Sequence, residues 1–165
     1  MGVIIPQVIT PSKASGAQVI DGSLRFDDDA KNYLERTPGS DGNRQTFTWS
    51  GWIKRNSTGA YQVLFGSYSG SDDFHHVRFR NDETLETRLQ VSNTDELRLI
   101  TNQVFRDLSS GWYHIVFAFD STESTNSDKA KLYVNGSQIT SFSTETYPSG
   151  SPNSFFSSTT TQSIG

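Results

Sequence analysis

The chain of 165 residues contains no cysteine. Disulfides, thiolate metal sites and cysteine nucleophiles are therefore excluded. Such a domain can fold in a reducing cytoplasm and still work outside a cell. Positive charge is not in excess: 14 Lys and Arg stand against 18 Asp and Glu, for a net charge of −4. A nucleic-acid surface needs a basic stripe, so no nucleic-acid partner is expected. No apolar run approaches membrane-spanning length, so no membrane insertion is expected. The start of the chain has no basic cluster and Pro6 interrupts its apolar residues, so no signal peptide is expected. No stretch of helical period is long enough to propose a helix, and no internal repeat is evident.

What is present is aromatic. Apolar residues make up only 33 %, yet there are eleven Phe, six Tyr and three Trp. Few but large core residues among many Ser, Thr, Gly and Asn describe an all-β domain with long surface loops. The clearest strand is 111–120. Tyr113, Ile115, Phe117 and Phe119 fall on one face at period two, and Trp112, His114, Val116 and Ala118 fall on the other. A strand apolar on both faces belongs in the middle of a layered sheet, buried on both sides. Downstream, Asn135-Gly136 supplies the positive backbone angles of a two-residue hairpin, setting Val134 opposite Ser137 and Leu132 opposite Ile139.

From 74 to 101 the pattern is a meander. Val77 and Phe79 share a face, as do Leu85, Thr87, Leu89 and Val91, and Leu97 and Leu99 continue it. Asn81–Thr84 and Ser92–Asp95 are turn-rich gaps. The alternate positions are Arg78, Arg80, Glu86, Arg88 and Arg98. They are expected to form a solvated face with weak cross-strand ion pairs. The rival is an anion-binding patch for acidic glycans. Residues 121–130 and 141–163 are expected to be Ser/Thr-rich loops, the second packing down in part through Tyr147, Pro148, Phe155 and Phe156. A short turn is expected around Asp107–Ser110.

Several segments together resemble the concanavalin A-like, laminin-G-like jelly-roll superfamily. Trp112-Tyr113-His114-Ile115-Val116 with Asp120 at the strand end, then Lys131-Leu132-Tyr133-Val134-Asn135-Gly136, is the core of the likeness. Ser23–Asp27 and Tyr33-Leu34 resemble the family's first strand and the segment after it, and Phe47–Lys54 resembles its "F-T-x-S-x-W-V-K" strand. The likeness covers roughly residues 22 to 165. It is nearest to a subgroup of structural proteins of tailed bacteriophages of marine type, to which Ile4–Pro11 and Tyr33–Pro38 are similar. The resemblance implies an all-β, two-sheet antiparallel jelly-roll sandwich over 22–165 with an extended N-terminal arm over 1–21. The family's usual aromatic last strand has no counterpart after Gly165. The sandwich is therefore expected to lack its last strand, which a longer natural chain or a neighbouring chain supplies.

The fold hosts lectins, adhesion modules, pentraxins and glycosidases alike, so function must come from sites. Relatives that cleave glucans carry Glu-x-Asp-x-Glu along one strand, and that motif is absent. Glu83 and Glu86 straddle a turn boundary, and Asp27–Asp29 lie in a loop; all are expected to be solvated turn residues. No catalytic residue is assigned, and no enzymatic activity is expected. His75 and His76 are adjacent on a strand and point to opposite faces. His114 is expected to be a hydrogen-bonded core histidine. No nucleophile elbow is present. Relatives bind calcium at the sandwich rim through Asp, Asn and carbonyl oxygens. Asp120, Asp128 and Asp41 are the candidate calcium ligands, with loop capping as the ordinary alternative. No other cofactor is expected. Trp52, Tyr61, Tyr68 and Tyr147 are the candidate glycan platforms, although the family's counterpart of Trp52 is usually core.

Val3, Ile4, Ile5, Val8 and Ile9 form an uncharged apolar segment with two prolines, unlike a charged disordered tail. They are expected to dock as an assembly arm on other virion proteins or on copies of this chain. The expected function is a non-enzymatic virion structural or attachment module, in a tail fibre or at the particle surface. It is made in the host cytoplasm, exposed outside the cell, and carries a host cell-surface glycan as a further partner. The alternatives are a free carbohydrate-binding lectin-like module, which leaves the arm unexplained, and a glycoside hydrolase, which lacks paired carboxylates.

Overall fold

The computed structural model of the chain describes residues 22–26, 32–108 and 111–165. The chain divides into two units, Met1–Lys31 and Asn32–Gly165. In the first, residues 22–26 form no strand and Leu24 is exposed. The resemblance placed the family's first strand there. Among the described residues nothing pairs with this stretch in a ladder, and the first strand forms instead in the Tyr33-Leu34 segment. The arm residues Val3, Ile4, Ile5, Val8 and Ile9 lie outside the described residues.

The second unit is a sandwich of eleven strands. They are β1 (Leu34–Arg36), β2 (Thr46–Ile53), β3 (Gln62–Tyr68), β4 (Phe74–Phe79), β5 (Thr84–Val91), β6 (Thr94–Val104), β7 (Tyr113–Asp120), β8 (Ala130–Val134), β9 (Ser137–Gln138), β10 (Phe142–Thr146) and β11 (Gln162–Ile164). One sheet has seven strands in the order β1-β11-β3-β4-β5-β6-β10; the other has four in the order β2-β7-β8-β9. Every pairing is antiparallel. Among the described residues, the regular structure besides strands is a single 3₁₀ turn at Asn126–Asp128.

The core is made by period-two alternation from both sheets. Ile115, Phe117 and Phe119 of β7 are fully buried, with Tyr113 packed beside them. They face Val77, Phe79, Leu85, Leu89, Leu97 and Leu99 of the meander. Phe47 and Trp49 of β2 close the side of this layer. Phe156, from the segment between β10 and β11, stacks on His75 with ring centroids 4.2 Å apart. The whole stretch 141–163 is not a plain loop as its composition indicated. Phe142 and Thr144 pair with β6 and Gln162 and Ser163 pair with β3, so 141–163 delivers two strands to the larger sheet. A bulge between Phe142 and Thr144 masks the alternation of β10.

The hairpin forms as its sequence dictates. Asn135 and Gly136 have φ of 51° and 81°, and Val134 faces Ser137. The Ile139 amide donates to Leu132 O at 2.9 Å. β7 lies inside its sheet between β2 and β8, but it is buried on one side only. His114, Val116 and Ala118 remain half-buried, because nothing among the described residues forms a layer over the outer face of the four-stranded sheet.

Candidate functional site

The outward-facing positions of the seven-stranded sheet line up in three rungs. The first is Gly66–His76–Arg88–Arg98–Thr146, the second Arg78–Glu86–Ile100–Thr144, and the third Tyr68–Phe74–Gln90–Asp95. The same alternation that sends Val77 and Phe79 inward sends His76 and Arg78 outward.

This face is not the solvated array of weak ion pairs that its charges indicated. The Glu86 side chain is fully buried. Arg78 Nε donates to Glu86 Oε2 at 2.6 Å, Arg98 Nε to Oε1 at 3.0 Å, and an Arg80 terminal nitrogen lies 3.4 Å from Oε1. His76 Nε2 is 3.5 Å from Oε2. Burial alone would raise the Glu86 pKa. The contact with His76 and the charge and hydrogen bond of Arg78 outweigh it and hold the carboxyl far below the usual carboxylate range. Burial is also the main influence on His76, and it lowers that imidazole's pKa despite the nearby carboxylate. Long arginine stems supply the cover, so a polar outer face becomes almost as dry as a core.

Aromatic rings flank the network. Tyr61 lies against the Arg78 guanidinium, 4.4 Å from its carbon to the ring centre, and is 52 % exposed. Tyr68 is 44 % exposed, and its hydroxyl sits 3.3 Å from His76 Nδ1. Its pKa is raised, chiefly by burial. Phe74 stacks on His76 at 5.0 Å. Gly66 is needed here, since a Cβ at this position would come within 2.8 Å of the Tyr68 ring and 3.2 Å of Val63. The missing side chain lets Tyr68 lie flat across the first rung.

Of the four aromatic candidates, Tyr61 and Tyr68 therefore lie on this one face, beside Arg78 and His76 respectively. Trp52 does not join them: it stands on the outer face of the four-stranded sheet, 57 % exposed, stacked on His114 at 4.8 Å. His114 is not a core histidine. Its parity with Val116 turns it outward, where its Nε2 sits 3.2 Å from Ser50 Oγ. Tyr147 packs against the core, and burial together with Glu145 pushes its pKa up to about 12. Neither His76 nor Gly66 was singled out for this face by sequence; the alternation His76-x-Arg78-x-Arg80 was the available signal.

Of the candidate calcium ligands, two share one pocket and the third lies elsewhere. Asp120 and Asp128 line a small surface pocket of about 200 Å³ with Glu123 and Lys131. Asp120 accepts from the amide and hydroxyl of Thr122, and Asp128 pairs with Lys131 at 3.0 Å. Hydrogen bonds from Thr122 are the leading cause that lowers the Asp120 pKa. Asp41 instead accepts from the Thr159 amide at 2.8 Å and pairs with Arg44. Among the described residues no three His, Asp or Glu side chains group to hold a metal ion.

Glu83 and Glu86 are not solvated turn residues. Glu83 is paired with buried Arg55 and accepts from the Gly59 amide at 2.6 Å. Glu86 has no exposed side-chain surface and both its oxygens are occupied. A glycosidase acid must reach the leaving oxygen, and neither carboxylate is free to do so. His75 Nδ1 lies 2.7 Å from Ser154 Oγ, but both residues are fully buried and His75 Nε2 has no hydrogen-bond partner among the described residues. Burial, with His76 second, drives the His75 pKa well below its ordinary value. This pair is a buried hydrogen bond within the aromatic core.

The strand order and register define a two-sheet antiparallel sandwich of jelly-roll type. A family model described as the concanavalin A-like lectin/glucanases superfamily matches residues 28–163, and the chain belongs to that superfamily. Among solved structures it is similar to a native heptameric SAP-like pentraxin from Limulus polyphemus, at 17 % identity and a TM-score of 0.49. The match covers 81 % of this chain and 57 % of the pentraxin chain. No curated protein sequence matches.

Proposed function

We propose that the chain is a non-enzymatic carbohydrate-binding module that uses the outer face of its seven-stranded sheet. The observation that carries this reading is the pair of exposed rings, Tyr61 and Tyr68, set over a fixed layer of His76 and Arg78. A sugar presents an apolar face to stack on an aromatic ring and a hydroxyl rim for polar donors. Rings held in place by a buried network lose little entropy when they bind. The setting we propose is a bacteriophage particle, where the module contacts host surface glycan and residues 1–20 join it to virion proteins or to a second copy. The likeness of Ile4–Pro11 and Tyr33–Pro38 to phage structural proteins supports that setting.

The test is binding of the purified chain to a panel of oligosaccharides, by calorimetry, with two sets of variants. Tyr61→Ala and Tyr68→Ala should each weaken binding roughly fivefold, for a stacking contact of about 1 kcal/mol. Trp52→Ala, on the opposite sheet, should leave it unchanged. No bound oligosaccharide should release new reducing ends. Sugar affinity that follows Trp52 instead, or turnover of any oligosaccharide, would sink this assignment.

A further inference from the structure

We infer that the ligand of this face is an anionic pyranose, one bearing a carboxylate or a sulfate; the inference rests on the sugar-binding reading of the same face. Four guanidiniums, Arg78, Arg80, Arg88 and Arg98, meet three carboxylates, Asp82, Glu86 and Asp95. The face is thus cationic on a chain whose net charge is −4. Its local sign is opposite to that of the whole, and it attracts what the rest of the surface repels.

The arrangement also leaves donors free. A guanidinium has five N–H groups in a rigid fork. Arg78 gives Nε to Glu86, and Arg88 gives Nε to Asp95 at 2.6 Å. Their terminal nitrogens have no hydrogen-bond partner among the described residues, while their side chains keep 20 % and 24 % exposure. Buried Glu86 orients the Arg78 fork, and Asp95 orients the Arg88 fork. This presents preorganised bidentate sites for a carboxylate or sulfate.

Arg88 and Arg98 are, moreover, direct cross-strand partners. Like charges so placed, with Cα atoms about 5 Å apart, destabilise a sheet. Asp95 relieves this in part, at 2.6 Å from Arg88 and 3.6 Å from Arg98. Glu86, 3.0 Å from Arg98, relieves it further, and an incoming anion would be stabilised by both arginines. Tyr61 and Tyr68 then provide the ring contact that sets a sugar apart from a free anion.

Two pairs of probes test this in physiological salt. One is tetragalacturonate against its fully methyl-esterified form; the other is sulfated maltotetraose against maltotetraose. At least one anionic member should bind tenfold or more tightly than its neutral counterpart, and the pair that responds identifies the group. Arg88→Gln leaves every Glu86 contact in place, and it should cut the anionic affinity at least fivefold and flatten its salt dependence. Equal binding of anionic and neutral members would overturn the charge inference while sugar binding by the tyrosines stood. Anionic binding that Arg88→Gln leaves intact would also overturn it, by placing the ligand elsewhere. Failure of all four probes to bind would remove both the inference and the sugar-binding reading beneath it.

Discussion

On the outer faces of the two sheets, burial does not follow hydrophobicity. On the four-stranded sheet the outward positions of β7 are His114, Val116 and Ala118, and all stay half-exposed. On the seven-stranded sheet the outward residues His76, Glu86 and Gln90 are polar, and all are buried. The difference lies in the neighbours. Around β7, Thr46, Thr48 and Ser50 of β2 are short, and Lys131 and Tyr133 of β8 have, among the described residues, no buried partner beneath them to draw their side chains across the sheet. Arg78, Arg80, Arg88 and Arg98 are long enough to fold their stems over the sheet, and Glu86 gives them a fixed anchor. The polar cover is therefore as structured as the apolar core beneath it.

The largest expected effect sits in the layer that both sheets share. Phe117 is fully buried against Phe47, His75 and Phe119. Phe117→Ala should cost about 3 to 5 kcal/mol as a cavity mutation. Next is Glu86→Gln, which preserves shape and removes the anchor's charge. It should cost about 3 kcal/mol, the low end for breaking a buried ion pair, because the arginines can turn to water. Denaturant midpoints measure both. A loss below about 1 kcal/mol for Glu86→Gln would make the network an ordinary surface array and erase the contrast between the sheets.

Much of this was legible in the residues. Alternation from Tyr113 to Phe119 and from Val77 to Leu99 gave the strands and their inward faces, and Asn135-Gly136 gave the hairpin register. Strand pairing was less accessible. β10 carries a bulge, and β1 and β11 are three residues each, too short for a period to show. The candidate face was visible as a list of alternating charges but not as a site. Tyr61 and Tyr68 join Arg78 and His76 only through the pairing of β3 with β4, and the burial of Glu86 depends on arginines from two strands. Alternation assigns a face; it does not say whether that face is wet.

Acidification should separate the layers in a second way. His75 and His76 have pKa values below the ordinary 6.5, so the folded state binds fewer protons than the unfolded chain. Their contribution to stability is complete above pH 6.5 and is lost as pH falls towards the folded values. Glu86 acts in the same direction lower down: its stabilisation is present above 4.5 and is lost as pH drops below that. Each group contributes at most about 1.4 kcal/mol per pH unit. The melting temperature should therefore decline from near pH 6.5 and more steeply below 4.5. His75→Phe should flatten the upper limb and leave the lower one. A melting temperature that rises between pH 7 and 5 would contradict the buried, neutral histidines.

The smallest effect belongs to the open sheet. Trp52 is the largest side chain on the outer face of the four-stranded sheet, yet it remains 57 % exposed and touches His114 through one stacked contact. Removing it uncovers the His114 ring but opens no cavity and strands no charge. Trp52→Ser should thus change stability by only about 0.5 kcal/mol, as for an ordinary surface site. Set beside Glu86→Gln, this reverses the usual ranking of side chains: a carboxylate outweighs a tryptophan because the carboxylate is the one enclosed. The comparison is sharpest if both variants are measured in the same denaturant series. If Trp52→Ser instead costs more than about 2 kcal/mol, the indole is packed under something on this face. The four-stranded sheet would then be covered as well, and the contrast between the two outer faces would be lost.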